Sequence, residues 1–424
     1  MKQLLLTLIG TCVLAVGASA QKYVGGDISM LKKFVDEGAI YKDKSGNAVE
    51  PLGFFQQQGW NSMRVRLFVD PSKASAQHRK EGVIQDLDYV KALGKQIKDA
   101  GLSLMLDFHY SDTWTDPGQH ATPSAWSGLN ATQLAQQVYD YTKESLQQLV
   151  AAGATPDFIQ VGNEITTGML WPTGQIANGG ETWNNLASYL SEGIKACREI
   201  CPQAQVIIHT ELHNLSSVYN FYANLAKYAD VQYDIIGLSY YPDHHGKMSD
   251  FNSCLNTLES RYPDKKIMIV ETGYGFEYHI GTKYELTSTY PLSDAGQLKF
   301  TKDLITLLNN HANVNGLYWW YPEYNLNGII NKGGTEDWTK DFTSGYWNGA
   351  LFWPKSGWPL SALFELQTFL GNDTAIDATL IDNGKSTNDN RIYDLQGRRV
   401  QTSDLKSQTF KKGIYIRNGL KVVM

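Results

Sequence analysis

Eight short apolar runs, separated by longer amphipathic stretches, constrain this chain more than any other feature. The runs are Tyr23–Ile28, Ser62–Leu67, Ser103–Phe108, Phe158–Val161, Val206–His209, Ile235–Ser239, Ile267–Val270 and Gly316–Trp320. Most are compact and unbroken, as strands read when both of their faces are buried. Helical patterns fill the intervals. Val83–Ala100 and Thr132–Ala151 carry apolar residues at three-and-four spacing, Trp183–Ile200 follows Glu181, and Ala295–Asn309 follows Asp294. This α/β alternation predicts a (β/α)8 TIM barrel. A doubly wound open sheet is the alternative, but no G-x-G-x-x-G follows the first run.

The two ends of the chain read differently from its middle. Met1 to Ala20 has the layout of a secretory signal: Lys2, an apolar stretch from Leu4 to Val16, and Ala18-Ser19-Ala20 at the cleavage site. The apolar stretch is shorter than the ~20 residues a spanning helix needs. Cys12 raises the alternative of a lipoprotein, but Thr11 is a poor residue before it, so plain cleavage before Gln21 is expected. The protein is therefore expected to cross the inner membrane and to work in the periplasm, at the cell surface or outside the cell, with no membrane span. Residues 21–372 form the expected barrel. From Asp373 the texture changes: Asn383-Gly384-Lys385-Ser386-Thr387-Asn388 is linker-like, and Arg391–Val400 and Gly413–Val423 alternate in the strand manner. Residues 373–424 are read as a small β-rich appendage. Cleavage would leave Cys197, Cys201 and Cys254, an odd number without a disulfide framework or zinc spacing, so buried free thiols are expected.

Composition narrows the ligand class. The formal net charge of −6, from 37 basic and 43 acidic residues, argues against nucleic acid as a partner. Aromatic residues reach 12% against 19% charged, which suits stacking on sugar rings as well as a large aromatic core.

In a barrel of this kind the active site lies at the C-terminal strand ends. There the sequence places Arg64 and Arg66, then Asp107, His109, Tyr110 and Asp112, then Asn163-Glu164, His209, Tyr240-Tyr241, Glu271 and Trp319-Trp320. Glu164 and Glu271 each follow an apolar strand closely, where a charge needs a reason. Carboxyls on the fourth and seventh strands would face each other across the barrel mouth, as in a retaining glycosidase. One must stay protonated and the other ionised, so their surroundings must differ. Arg66 is expected to hold Glu271 ionised, with Tyr240 or Tyr241 donating a hydrogen bond to it. Asn163 is read as a ligand of a sugar hydroxyl or as a loop amide capping the backbone. His109 and His209 are read as sugar ligands or as core histidines. Trp320 is read as a floor beneath a sugar or as barrel packing.

Several strings stand at these strand ends. They are Arg64-Val65-Arg66-Leu67 with Asp70-Pro71, Asp107-Phe108-His109-Tyr110-Ser111-Asp112-Thr113-Trp114 with Asp116-Pro117, and Val161-Gly162-Asn163-Glu164-Ile165 running to Leu170-Trp171-Pro172. Ile236-Gly237-Leu238-Ser239-Tyr240-Tyr241-Pro242 and Val270-Glu271-Thr272-Gly273-Tyr274 complete the set. Together they resemble glycoside hydrolase family 53, the endo-β-1,4-galactanases, and the resemblance runs from Tyr23 to about Leu370. It implies Glu164 as general acid/base, Glu271 as nucleophile, and internal cleavage of β-1,4-galactan, the side chain of pectin. Arg66, Asp107, His109, Trp114, Asn163, His209, Tyr240, Tyr241 and Trp320 are the expected substrate-binding residues. No cofactor is implied. The Asp-x-His-x-Asn calcium pattern of some bacterial relatives is missing between Glu271 and Gly296, so no metal is expected. A single chain is expected to act as a monomer on its polysaccharide. Two departures stand out: Asp243-His244 precede His245-Gly246 where the family commonly has an aromatic residue, and Trp320-Tyr321-Pro322 replaces Trp-Glu-Pro. The competing readings are another retaining endo-β-1,4-glycanase, such as a mannanase or cellulase, and a non-catalytic carbohydrate-binding barrel.

Overall fold

The eight apolar runs pair in parallel and close on themselves. In the computed structural model the barrel consists of β1 (Tyr23–Asp27), β2 (Ser62–Leu67), β3 (Ser103–Phe108), β4 (Phe158–Val161), β5 (Gln205–Glu211), β6 (Ile235–Tyr240), β7 (Lys266–Thr272) and β8 (Val314–Trp320). Each strand bonds to its sequence neighbours, and β1 closes the ring by pairing with both β2 and β8. The structure describes residues 21–176, 181–211, 215–277, 283–329 and 349–371, together with four short strands further on. The expected signal segment lies outside the described residues. Among them, no helix is long and apolar enough to cross a membrane.

Several strands run farther than hydrophobicity alone indicates. β5 reaches Glu211 rather than His209, β6 reaches Tyr240, and β7 includes Glu271 and Thr272. Of their last residues, Glu211 and Glu271 line the mouth, while Tyr240 and Thr272 are buried and donate to backbone carbonyls. An apolarity pattern cuts such residues off, although a buried polar group with a partner is stable there.

The intervening helices start where their caps dictate. α1 spans Pro51–Gln57, and α2 spans Leu87–Asp99 behind Asp86, whose side chain accepts from Tyr89 N. That cap explains why α2 begins at Leu87 and not at Val83. α3 (Ala131–Ala151) carries a reciprocal box in which Asn130 and Gln133 bond each other's backbone. α4 (Glu181–Ile200), α5 (Leu215–Leu225), α6 (Met248–Arg261), α7 (Asp294–Leu308) and α8 (Ser361–Glu365) complete the outer layer. α6 has no side-chain cap at Lys247, so it starts without the signal that Asp86 and Asn130 supply to α2 and α3. Cys197, Cys201 and Cys254 are buried and free, as expected.

Layers of inward side chains set the depth of the site. Met105, Phe158, Ile207, Ile235, Met268, Val270 and Tyr318 form one buried cluster inside the barrel. Each such side chain contributes ~1.5–3 kcal/mol by leaving water. Two residues further along the strands, the same inward positions turn polar: Asp107 follows Met105, Gln160 follows Phe158, and His209 follows Ile207. β7 departs from this alternation. Its pairing with β6 passes from Leu238↔Ile269 to Ser239↔Glu271, so Val270 is an extra residue. The bulge turns Glu271 into the barrel mouth although Val270 belongs to the core below.

Contacts divide the chain into two compact units, Met1–Phe369 and Leu370–Met424. In the second unit β9 (Ile392–Tyr393), β10 (Arg399–Val400), β11 (Ile414–Arg417) and β12 (Leu420–Val423) form an antiparallel sheet in the order β10-β9-β11-β12.

Candidate active site

A cavity of about 570 Å3 opens at the C-terminal end of the barrel strands. Arg66, His109, Trp114, Asn163, Glu164, Tyr241, Glu271 and Trp320 all line it. Asp107, His209 and Tyr240 do not: each is fully buried, so none presents a surface to a ligand. The sequence places these three among the expected substrate-binding residues; the structure sets them behind the cavity lining. The first two support the cavity floor, and Tyr240 faces away, with its hydroxyl on Gly246 O (2.9 Å) and its ring stacked on Phe251 (4.1 Å between centroids).

The turn after β4 aims the first carboxyl. Gly162 has φ +87°, and a Cβ there would lie 2.7 Å from Ile165 Cγ2. Glu164 itself takes φ +47°, a left-handed conformation that few non-glycine residues adopt. The surroundings hold this turn in place. Asn163 Oδ1 accepts from Arg64 (2.9 Å), and Asn163 Nδ2 donates to Thr115 O (2.8 Å). Glu164 N and Gln160 Nε2 both donate to His209 Nδ1, at 3.2 and 3.0 Å. The second ring nitrogen of His209 therefore carries the proton and donates to Ser239 Oγ at 2.8 Å. Burial and the Arg64 charge hold this imidazole neutral. Ser239 in turn hydrogen-bonds the Glu164 carboxyl.

Glu271 sits in a different environment. Arg64 approaches Glu271 Oε1 at 2.9 Å, and Tyr241 donates its hydroxyl proton to Oε2 at 3.0 Å. Arg64 also binds Asp27 (2.7 Å) and Asp107 (2.8 Å), so one buried guanidinium serves three carboxylates. The cation on Glu271 is thus Arg64, and the expected role of Arg66 is corrected. Of the two tyrosines left open by the sequence, Tyr241 is the donor. Arg66 lies one layer higher, its nearest carboxylate Asp27 at 3.6 Å, and its guanidinium is ringed by Trp114, Tyr321 and Trp320 at 4.7, 5.3 and 5.8 Å from the ring centroids.

These contacts separate the two carboxyls electrostatically. Burial, then the charge of Glu271, pushes Glu164 well above the ordinary carboxylate range. Burial also raises Glu271, but Arg64 and the Tyr241 hydrogen bond pull it back toward the ionised form. Both carboxyls are thus raised, Glu164 further than Glu271, because only Glu271 has a guanidinium against it. His109 is held by Asp107 (3.1 Å) and Thr115 (2.7 Å), and burial keeps it neutral.

The profile of glycosyl hydrolase family 53 matches residues 23–403. The chain belongs to that family. It is an enzyme that cleaves glycosidic bonds. A probable arabinogalactan endo-β-1,4-galactanase A of Neosartorya fischeri is 31% identical over 356 residues, 80% of this chain and 96% of its own length. An arabinogalactan endo-β-1,4-galactanase of Cellvibrio japonicus is 31% identical over 309 residues, 70% of this chain and 79% of its own. A solved fungal β-1,4-galactanase aligns with a TM-score of 0.69 at 27% identity, covering 82% of this chain and 99% of its own.

In this family 53 barrel the cavity also gathers residues outside the expected catalytic and substrate-binding set. Glu211, His245, Asp116, His78 and Lys283 line it as well. Glu211 is buried at the end of β5, 3.9 Å from His245, and its charge adds to the upward pressure on Glu164. Its signal was the parity of β5: Ile207, His209 and Glu211 share one face, so extending the strand by two residues exposes Glu211 as a rim carboxylate. At the departure from the family pattern, His244 lines the cavity whereas Asp243 is buried.

Proposed function

We propose that this chain is a secreted endo-β-1,4-galactanase that works by double displacement, with Glu164 as general acid/base and Glu271 as nucleophile. The carrying observation is the split environment of two glutamates that line one cavity. Glu164 is poised to keep a proton, while Glu271 is paired with Arg64 and Tyr241. In the first step a Glu271 oxygen attacks the anomeric carbon and the glycosidic C–O bond breaks. Its electron pair goes to the departing oxygen, which takes the Glu164 proton. Bond formation neutralises Glu271, which removes one of the causes that raise Glu164, so Glu164 stays ionised and is available as the base in the second step. It then takes a proton from water, the water oxygen attacks the anomeric carbon, and Glu271 leaves.

Trp114 and Trp320 supply aromatic walls to the sugar, while Arg66, His109, Asn163 and Tyr241 supply polar contacts. Both carboxyls come from one chain, so a monomer suffices. Galactan as substrate rests on the galactanases to which the chain is similar, and cleavage of pectin side chains outside the cytoplasm follows from the signal-like N-terminus.

Two attacks on one carbon give net retention. Proton NMR of fresh galactan hydrolysate is expected to show the β-anomer before mutarotation, and α-anomer first would make Glu271 a base. A panel of galactan, mannan and cellulose read by reducing ends is expected to show cleavage of galactan. Faster cleavage of another polymer would replace the substrate assignment.

The proposed division at Asn372 has its own test. Every cavity residue named above precedes Leu370, the start of the second unit. A chain ending at Asn372 is expected to retain its kcat on soluble galactan. A folded truncation without activity would mean that residues 373–424 shape the site.

A further inference from the structure

Two tryptophans outside the cavity remain unused by the chemistry above. Trp353 and Trp358 are each 40% exposed, and no other described tryptophan is exposed. They belong to a tight hairpin between β8 and α8. Phe352 and Pro359 form an antiparallel bridge, and Trp353 N donates to Trp358 O at 2.8 Å. Trp353 and Trp358 are therefore neighbours across the neck of this hairpin. Alternation sends Phe352 to the opposite face, where it is fully buried against Tyr41 and Phe55. Both indoles are braced. Trp353 meets the edge of Phe276 at 5.0 Å. Trp358 lies over Gly46, where a Cβ would come within 2.9 Å of the ring.

We propose that the Trp353–Trp358 pair is a second carbohydrate-binding surface, which holds a β-1,4-galactan chain outside the catalytic cavity. This rests on the galactanase reading above. Area selects the occupant. Two indoles at two-fifths exposure offer on the order of 200 Å2. A stable protein interface needs ~800 Å2 from each partner, so a second copy of this chain is poorly matched. Two neighbouring sugar rings are well matched. The axial O4 of galactose leaves the C–H groups of C3, C4 and C5 together on the opposite face, an apolar patch that fits an indole. The surface is also continuous with the cavity wall. Phe276 shares a buried cluster with Tyr321, and Trp320, which lines the cavity, packs on that cluster with its ring 5.0 Å from Tyr321. The pair therefore lies at the catalytic end of the barrel, where a polymer in the cavity can reach it.

The test is electrophoretic retardation in native gels with and without β-1,4-galactan. Every sample carries Glu271→Gln to prevent hydrolysis of the gel. The Trp353→Ala/Trp358→Ala chain is expected to lose about tenfold in affinity for the polymer. Trp353→Phe/Trp358→Phe, which keeps two rings, is expected to fall between. In the otherwise native enzyme the alanine pair is expected to raise KM on galactan and leave kcat/KM on galactotetraose unchanged. Equal retardation of all three chains would overturn the proposal. So would an equal loss on tetraose and polymer, or a dimer in sedimentation that the alanine pair dissociates. Should the alanine chain fail to fold, the phenylalanine chain decides, since retardation equal to native then counts against the surface. A native enzyme that leaves galactan uncut defeats the function proposed above. One that cuts galactan without these differences defeats only the second surface.

Discussion

Glu271→Ala is expected to lower kcat on galactan by roughly 10^4-fold or more, because residues that act as one catalytic unit show losses of that size. In the proposed mechanism both covalent steps pass through this carboxylate, and among the described residues no other group lining the cavity meets both Arg64 and Tyr241. Glu164→Ala is expected to behave differently. Proton donation contributes about 10^2–10^4-fold when the leaving group is a sugar alkoxide. An activated aryl leaving group departs without a proton, so kcat/KM on an aryl β-galactoside oligomer is expected to change little. Steady-state kinetics on both substrates separates the roles. Equal kcat/KM losses in Glu164→Ala on the two substrates would contradict the assignment.

Arg64→Met is expected to be the most damaging substitution outside the two glutamates. It leaves Asp27, Asp107 and Glu271 without the cation that binds all three. Removing one partner of a buried ion pair costs about 3–5 kcal/mol, which urea unfolding would register. Activity is expected to shift as well as fall. Without Arg64, burial raises Glu271 unopposed by that charge, so the acid limb of the pH–rate profile moves to higher pH. Asp107 adds a stability term of known sign. Burial pushes it up, but Arg64 and His109 more than offset this and hold it below its ordinary value. A carboxyl depressed in the folded state stabilises above its unfolded pKa of about 4 and loses that contribution as pH falls through its folded value. Arg64→Met is expected to lose this increment at neutral pH. A variant with native stability and an unmoved acid limb would refute the assigned pairing.

Much of the architecture is legible in the chain. Eight compact runs separated by helical patterns are enough for a closed parallel barrel, because such strands need cover on both faces. The same patterns place Glu164 and Glu271 at strand ends, and the string Asp107-Phe108-His109-Tyr110-Ser111-Asp112-Thr113-Trp114 together with the others carries the family. Helices with a strong stripe and cap, such as α2 and α3, are legible to within a few residues. α5 and α6 are not among the helical patterns read from the sequence, and α6 has no side-chain cap to mark its start.

The choice between neighbouring residues is a different matter. Arg64 and Arg66 have the same parity and both point inward, so sequence alone does not say which one meets Glu271. The answer depends on depth, and depth depends on how far the strands stagger around the barrel. Here the Arg64 guanidinium meets Asp27, Asp107 and Glu271, while that of Arg66 lies in the ring of Trp114, Tyr321 and Trp320. Tyr240 and Tyr241 pose the same problem. Ile235–Tyr240 is buried on both faces, so no polar alternation marks its inner side. The packing of Tyr240 on Phe251 settles it, and Tyr241 turns to Glu271. The bulge at Val270 is the clearest case. Simple alternation from Met268 and Val270 in the core would turn Glu271 away from the mouth. The sequence by itself determined the residue types, their order and the barrel that carries them. The tertiary structure alone decided which of them meet, because stagger and bulges arise from the closure of the whole sheet and not from any one strand.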